Sequence, residues 1–313
     1  MTSERIAVTA TRRSGYWQLA LTLAVLIAAG CLAWRHWPVL ETGALRLAVA
    51  DQGWLLVAAT AAAATWACSA LAQQGAVHRV LPSGRLLAAQ FAASAAGQLL
   101  PAGLGSGAVN LRFLMRCGMS ASRSATALAV KATAGGLVRA ALIAGLATAC
   151  PGVLGLPPRS AGWLALAGVS AMLAIALTAA LWARGRTALA LVLADIRAIH
   201  ARPRRAAALW GGSLGCAVLH ACVLIAVTRA VALPLAPSLV ALLYLAASSA
   251  AALLPTPGGI GSLDAALTFA LTAGGAPAVA AASAVLGYRL LTVWLPLLPG
   301  LLVLALLVRR KAL

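Results

Sequence analysis

Six runs of mainly apolar residues, at about 16–34, 53–76, 124–148, 161–183, 207–232 and 278–308, constrain this chain more than any other feature. Each is close to the roughly 20 residues that a helix needs to cross the hydrocarbon core of a bilayer. Lipid offers no hydrogen-bond partner to a backbone, so only helices and closed barrels span it. Barrel strands would alternate apolar and polar residues in segments of about ten, whereas these runs are long and rich in Ala, Leu and Val. The fold class predicted is all-α, a polytopic helical membrane protein. Two further apolar stretches, about 86–100 and 238–254, are short. They run into Pro101-Ala102-Gly103-Leu104-Gly105-Ser106-Gly107 and Pro255-Thr256-Pro257-Gly258-Gly259-Ile260-Gly261-Ser262. Backbone this rich in Pro and Gly does not stay helical. At membrane depth it is tolerated only where protein buries it or where it lines a cavity. The expectation is one integral membrane domain over 1–313, with six full spans and two re-entrant broken elements. An amphipathic cytoplasmic connection is expected at 184–206.

Charge gives the direction of the spans. Only 9% of residues are charged and 63% are hydrophobic, against about 25% charged in soluble domains. Lys and Arg number 24 against 5 Asp and Glu, a net charge of +19. A nucleic-acid binder would gather such cations on a soluble face. Here they sit in short loops at the ends of apolar runs, so nucleic acid is not an expected partner. With both termini in the cytoplasm, only Arg35, Arg46 and Arg159 fall outside. Lys131, Arg139, Arg229 and Arg289 lie within spans, and every other cation is cytoplasmic, as the positive-inside rule requires. Trp17, Trp34, Trp37, Trp54, Trp163, Trp182 and Trp210 fall near span ends, like an interfacial belt. The expected location is the plasma membrane. Ala28-Ala29-Gly30-Cys31 faintly resembles a lipoprotein cleavage box, but no good signal-peptidase site follows, so an uncleaved first helix is expected.

The two breaks resemble each other. A shift of 156 positions carries Pro101 onto Pro257, Gly103 onto Gly259, Gly105 onto Gly261 and Ser106 onto Ser262. It also carries Leu111 onto Leu267 and Phe113 onto Phe269. The first break enters the membrane from the cytoplasm and the second from outside. Repeat halves at about 53–148 and 207–308 would then be related by inverted topology, a pattern of secondary transporters with a midplane site.

Three stretches resemble a known family. Pro255-Thr256-Pro257-Gly258-Gly259-Ile260-Gly261-Ser262-Leu263-Asp264 resembles a P-x-P-G-G-x-G-x-x-E motif. Tyr288-Arg289, with Trp294, Pro296 and Gly300, is similar to a closing Y-R…W-x-P…G. Pro101 to Gly107, followed by Arg112, Arg116, Gly118 and Ser120, is the third. The family is the one that includes the transmembrane region of lysylphosphatidylglycerol synthase/flippases. Asp264 stands where Glu is usual, and Ser106 where an acidic residue often follows. The resemblance implies a lipid-handling membrane domain. In bifunctional members a separate soluble domain attaches lysine to phosphatidylglycerol and the membrane domain moves the product. The longest polar connection here, about Arg184 to Arg205, is too short to hold such a domain.

Intramembrane charges nominate the site. A cation at the bilayer centre costs about 2.5–3.5 kcal/mol on insertion scales. Lys131, Gly135 and Arg139 are spaced to share one helix face, and Arg289 lies inside the last long run. These cations, with Arg112, are expected to meet a lipid phosphate. The broken segments at Gly103, Gly105, Gly258, Gly259, Gly261 and Ser262 supply free N–H groups and helix N-termini that favour anions. Asp264 and Tyr288 complete the set. A structural reading stands beside this one: Lys131 snorkels to the inner surface, and Arg289 pairs with Asp264. Asp264 is then either a proton site or the partner of Arg289. Arg229 is read as snorkelling and His220 as a core histidine.

Cys216, His220 and Cys222 lack a fourth metal ligand, so no metal and no cofactor is expected. No nucleophile–base pair or P-loop appears, so the chain is not expected to be an enzyme. Membrane lipids are the expected partners, through translocation of an anionic or phosphate-bearing lipid. Two alternatives are a non-catalytic subunit that docks a lipid-modifying enzyme, and a carrier of small solutes or ions.

Overall fold

The computed structural model describes residues 45–99, 104–149, 201–252, 256 and 261–309. Every element among them is helical. The runs at 16–34 and 161–183, most of the 184–206 connection, both termini, and Gly103, Gly258 and Gly259 lie outside the described residues. Four helices are α1 (Gln52–Gly75), α2 (Ser83–Leu99), α3 (Leu104–Arg116) and α4 (Ala121–Ala149). Four more are α5 (Pro203–Ala230), α6 (Pro237–Ala251), α7 (Ser262–Ala273) and α8 (Ala278–Arg289). A π-helical turn at Leu290–Trp294 joins α8 to α9 (Leu295–Arg309). Span, broken hairpin, span is therefore built twice. Residues 52–75, 121–148, 203–230 and 278–309 are long and apolar enough to cross a membrane.

α1 and α5 run antiparallel along their whole length. Gly75 faces the backbone of Leu209, Gly212 that of Ala72, and Gly215 the thiol of Cys68. At the far end the Asp51 N–H donates to the carbonyl of Ala230, 3.1 Å away. Two apolar helices in lipid gain little from hydrophobic burial and associate through close packing of small residues. A Cβ at Gly212 would stand 2.7 Å from the carbonyl oxygen of Cys68. Antiparallel packing of equivalent helices is the geometry an inverted repeat demands.

The hairpin helices are shorter than the four long ones. α2 has 17 residues and α3 has 13, so neither reaches beyond about 25 Å at 1.5 Å per residue. α2 begins and α3 ends at the end of the bundle where α5 starts. Arg79, between α1 and α2, donates to the carbonyls of Cys117 and Gly118, just past α3. Arg205, at the start of α5, meets His78 through its ring and its carbonyl. α9 returns to the same end, where Leu304 and Leu307 pack on Val77, Leu81 and Leu86. The second hairpin, α6 and α7, approaches from the opposite end and packs with α5 and α8 around Val223, Leu224, Val240, Leu245, Leu267 and Leu271.

The shared glycine of the two breaks does two different jobs. In the first hairpin a Cβ at Gly105 would collide with the carbonyl group of Ala96, so the glycine permits backbone contact between α3 and α2. In the second, Gly261 has open space around it but a φ of +85°, a conformation that L side chains rarely adopt. Gly105→Leu is expected to destabilise the fold by about 3 kcal/mol or more, because the clash is with backbone. Gly107→Ala, with nothing within 4 Å, is expected to change stability by less than about 0.5 kcal/mol. Thermal unfolding of the two purified variants in detergent checks the contrast.

Candidate functional site

A polar cavity of about 270 Å³ opens between the first hairpin and the spans α1, α4 and α5. Lys131 lies ten residues into α4, which begins at Ala121. That places it about 15 Å along the helix, within a stretch long and apolar enough to cross a membrane. Its ammonium points inward. It donates to the hydroxyl of Ser69 on α1 at 2.9 Å and to the amide oxygen of Gln90 on α2 at 3.0 Å. The Ser69 hydroxyl also donates to that Gln90 oxygen, at 2.8 Å. The Gln90 amide nitrogen donates to Asn110 Oδ1 on α3 at 2.6 Å, and the Asn110 amide donates to the carbonyl of Ser106 at 2.9 Å. One hydrogen-bonded chain thus ties Lys131 to the start of the helix that follows the first break.

The cavity wall is completed by Cys216 and His220 on α5 and by Thr292 on the π-turn, with the rings and methyls of Trp66, Ala62 and Ala93 beside them. Trp66 is held edge-on against Phe91 at 4.5 Å between centroids. Thr292 faces the cavity because the π-turn shifts the helical register just after Arg289. Its hydroxyl donates to the carbonyl of Tyr288 at 2.7 Å, which satisfies a backbone acceptor in the altered ladder. Among the described lining residues Lys131 carries a charge and none is a carboxylate. An ammonium has three donors. With two used on neutral partners, the third proton and the full positive charge are available to an anion.

The other nominated residues are distributed differently. Arg139, two turns along α4, donates to the Ser248 hydroxyl on α6 at 3.0 Å and so reaches the second hairpin. Arg289 is 6% exposed, and its Nε donates to Asp264 Oδ1 at 2.5 Å. The other Asp264 oxygen accepts the Gly261 N–H at 3.0 Å. The carboxylate thus caps the first turn of α7, where negative charge opposes the helix dipole favourably, and binds α8 at the same time. Tyr288 is buried and its hydroxyl donates to that of Tyr244 at 3.1 Å. Ser262 shares a hydrogen bond of 2.6 Å with Thr256. Gly105 is buried against α2, and Arg112 is exposed on α3, off the cavity wall. The structure therefore brings Lys131 to the cavity and draws Asp264, Arg289 and Gly261 into a separate, internally neutral cluster.

Ser69, Gln90, Asn110, Ser106, Cys216 and Thr292 were not nominated from the sequence. Their signal was available: Gln90 and Asn110 are amides within mainly apolar and small-residue segments. An amide in lipid is costly unless it has partners.

A family model described as "Lysylphosphatidylglycerol synthase TM region" matches residues 18–300. The chain belongs to that family. The match covers both breaks and the residues that line the cavity. No curated protein matches the chain. Membership of the lysylphosphatidylglycerol synthase TM region family makes this a multi-pass membrane protein related to lipid handling. The family is described by a membrane region, which agrees with the helical bundle seen here.

Proposed function

We propose that this protein translocates an anionic, phosphate-bearing lipid across the bilayer, with the headgroup held in the Lys131 cavity. One observation carries this reading: a cation within a membrane-length helix is solvated by neutral side chains in a cavity whose described lining has no carboxylate. Nature retains such an expensive charge where it meets a ligand or a water-filled path. The first hairpin supplies hydroxyl and amide groups, which suit phosphate oxygens and glycerol hydroxyls. The polar wall replaces headgroup hydration, while acyl chains stay in the surrounding lipid. The bundle end bearing Arg79, Arg112, Arg116, Arg123, Arg202 and Arg205 faces the cytoplasm of the cell membrane in this reading. No bond is made or broken, so the protein acts as a transporter and not as an enzyme.

The test uses proteoliposomes with the purified full chain. Fluorescent phosphatidylglycerol and phosphatidylcholine are placed in both leaflets, and an impermeant quencher reads the outer fraction over time. The expected result is rapid equilibration of phosphatidylglycerol, several-fold faster than phosphatidylcholine. Equal rates for both lipids, or rates no faster than in protein-free vesicles, would overturn the proposal.

A further inference from the structure

We infer that His220 is a proton-accepting group of this cavity and that anion binding is coupled to proton uptake there. This rests on the reading of the cavity as an anionic headgroup site. The geometry begins with one hydrogen bond. His220 Nδ1 lies 2.8 Å from the carbonyl oxygen of Cys216, one turn earlier on α5. A carbonyl only accepts, so Nδ1 carries a hydrogen, and the neutral ring must leave Nε2 bare. The bare nitrogen is where a proton adds. The ring is half-buried and lines the cavity into which Lys131 projects from α4. One face lies nearly parallel to the ring of Tyr244 on α6, with centroids 6.4 Å apart and planes 8° apart. That fixes the ring plane as the hydrogen bond fixes its tautomer.

The charges around the ring decide the coupling. Facing it are Lys131 and Arg139 from α4, Cys216 from its own helix and Tyr244 from α6, with Tyr288 from α8 behind Tyr244. Cys68 of α1 lies against Gly215. Asp264, from α7, is engaged with Arg289 in the second hairpin. None of the described groups on the cavity wall is an anion. An imidazolium in the empty cavity would therefore face Lys131 without compensation. With a phosphate present, the same imidazolium and Lys131 share one anion. Each ligand thus favours the other, and thermodynamic linkage makes the effect reciprocal: the phosphate promotes proton uptake by the factor by which the proton promotes phosphate binding. Protonation adds one bond, N–H at Nε2, and takes its proton from water, so charge and atoms balance without a further reactant. The consequence is a carrier that moves an anionic headgroup together with a proton, so that a transmembrane proton gradient drives the lipid.

The test is the affinity of the full chain in detergent for short-chain phosphatidylglycerol, whose phosphodiester does not titrate near neutrality. Binding is measured by calorimetry between about pH 5.5 and about pH 8, a range that brackets an ordinary histidine. The expected result is binding on the order of tenfold tighter at the acid end, within the usual range of linked effects, with net proton uptake scaling with buffer ionisation heat. In His220→Asn the amide keeps a donor near the Cys216 carbonyl, and affinity is expected to lose its pH dependence. His220→Gln serves as the second variant, and thermal unfolding confirms that the variant tested is folded. Binding by the wild type that is flat with pH, or pH dependence that survives in the folded variant, would overturn the proton coupling and leave the headgroup site standing. Absence of any phosphatidylglycerol binding at every pH would overturn both.

Discussion

Lys131→Met is expected to raise thermal stability while cutting phosphatidylglycerol translocation by about 10- to 100-fold. The two effects have one cause. The ammonium is held inside the bundle and donates to the neutral oxygens of Ser69 and Gln90. A charge there costs on the order of 2.5–3.5 kcal/mol to insert, and these bonds recover part of it. Removing the charge leaves Ser69 still bonded to Gln90 and Gln90 still bonded to Asn110, so no buried acceptor is orphaned. The activity loss follows from a charged hydrogen bond to phosphate worth about 1.5–3 kcal/mol, at 1.4 kcal/mol per factor of ten. Lys131→Arg keeps the charge but presents a larger fork in a cavity of about 270 Å³. Its activity is expected to fall between those of wild type and Met. Melting temperature and proteoliposome rates, measured on the same preparations, check the opposite signs. A destabilised, inactive Lys131→Met would make the lysine structural.

The second large effect concerns Asp264 and Arg289. Arg289→Gln alone is expected to destabilise the protein by about 1–3 kcal/mol, because Asp264 loses its charged partner and keeps only the Gly261 N–H among its described bonds. Asp264→Asn alone is expected to cost at least as much. It removes the carboxylate to which Arg289 Nε donates and the negative charge that caps α7 at the Gly261 N–H. The double variant is expected to recover most of the loss, since neutral replacement of a buried pair is often close to neutral. The cluster is separate from the cavity wall, so the double variant is also expected to retain translocation within about threefold, below the 1.4 kcal/mol of a tenfold change. Unfolding curves for the four proteins give the coupling energy directly. A double variant as unstable as the singles would mean the pair is not the source of the effect. A stable double variant without activity would bring Arg289 into the transport path.

Much of this architecture was legible in the residues. Long apolar runs dictate helices because lipid cannot satisfy a backbone. The Pro and Gly content of the two short runs dictates breaks, because neither residue sustains a helix. The matched P-x-G-x-G-S sequences in the two breaks pointed to a repeat, and the antiparallel packing of α1 on α5 has the sense that such a repeat needs. The motif at Pro257 to Asp264 and at Tyr288-Arg289 pointed to the family whose model matches residues 18–300. These signals are local: each depends on what a short segment does in hydrocarbon.

Which charges meet was decided by tertiary structure. Lys131 and Arg139 share a face of α4, yet one turns to Ser69 and Gln90 and the other to Ser248, because different helices pack over successive turns of that face. Asp264 and Arg289 are 25 positions apart, and the sequence left open whether the carboxylate was a partner or a proton site. The fold of α7 onto α8 brings them into contact. Gly105 and Gly261 match in the motifs of the two breaks, but one is required by the approach of α2 and the other by its own positive φ. Ser69, Gln90, Asn110 and His220 come from four helices, and composition cannot show that four scattered polar residues face the same volume. The physical reason is range: hydropathy and helix breaking act within a segment, whereas a cavity exists only once helices far apart in sequence pack around it.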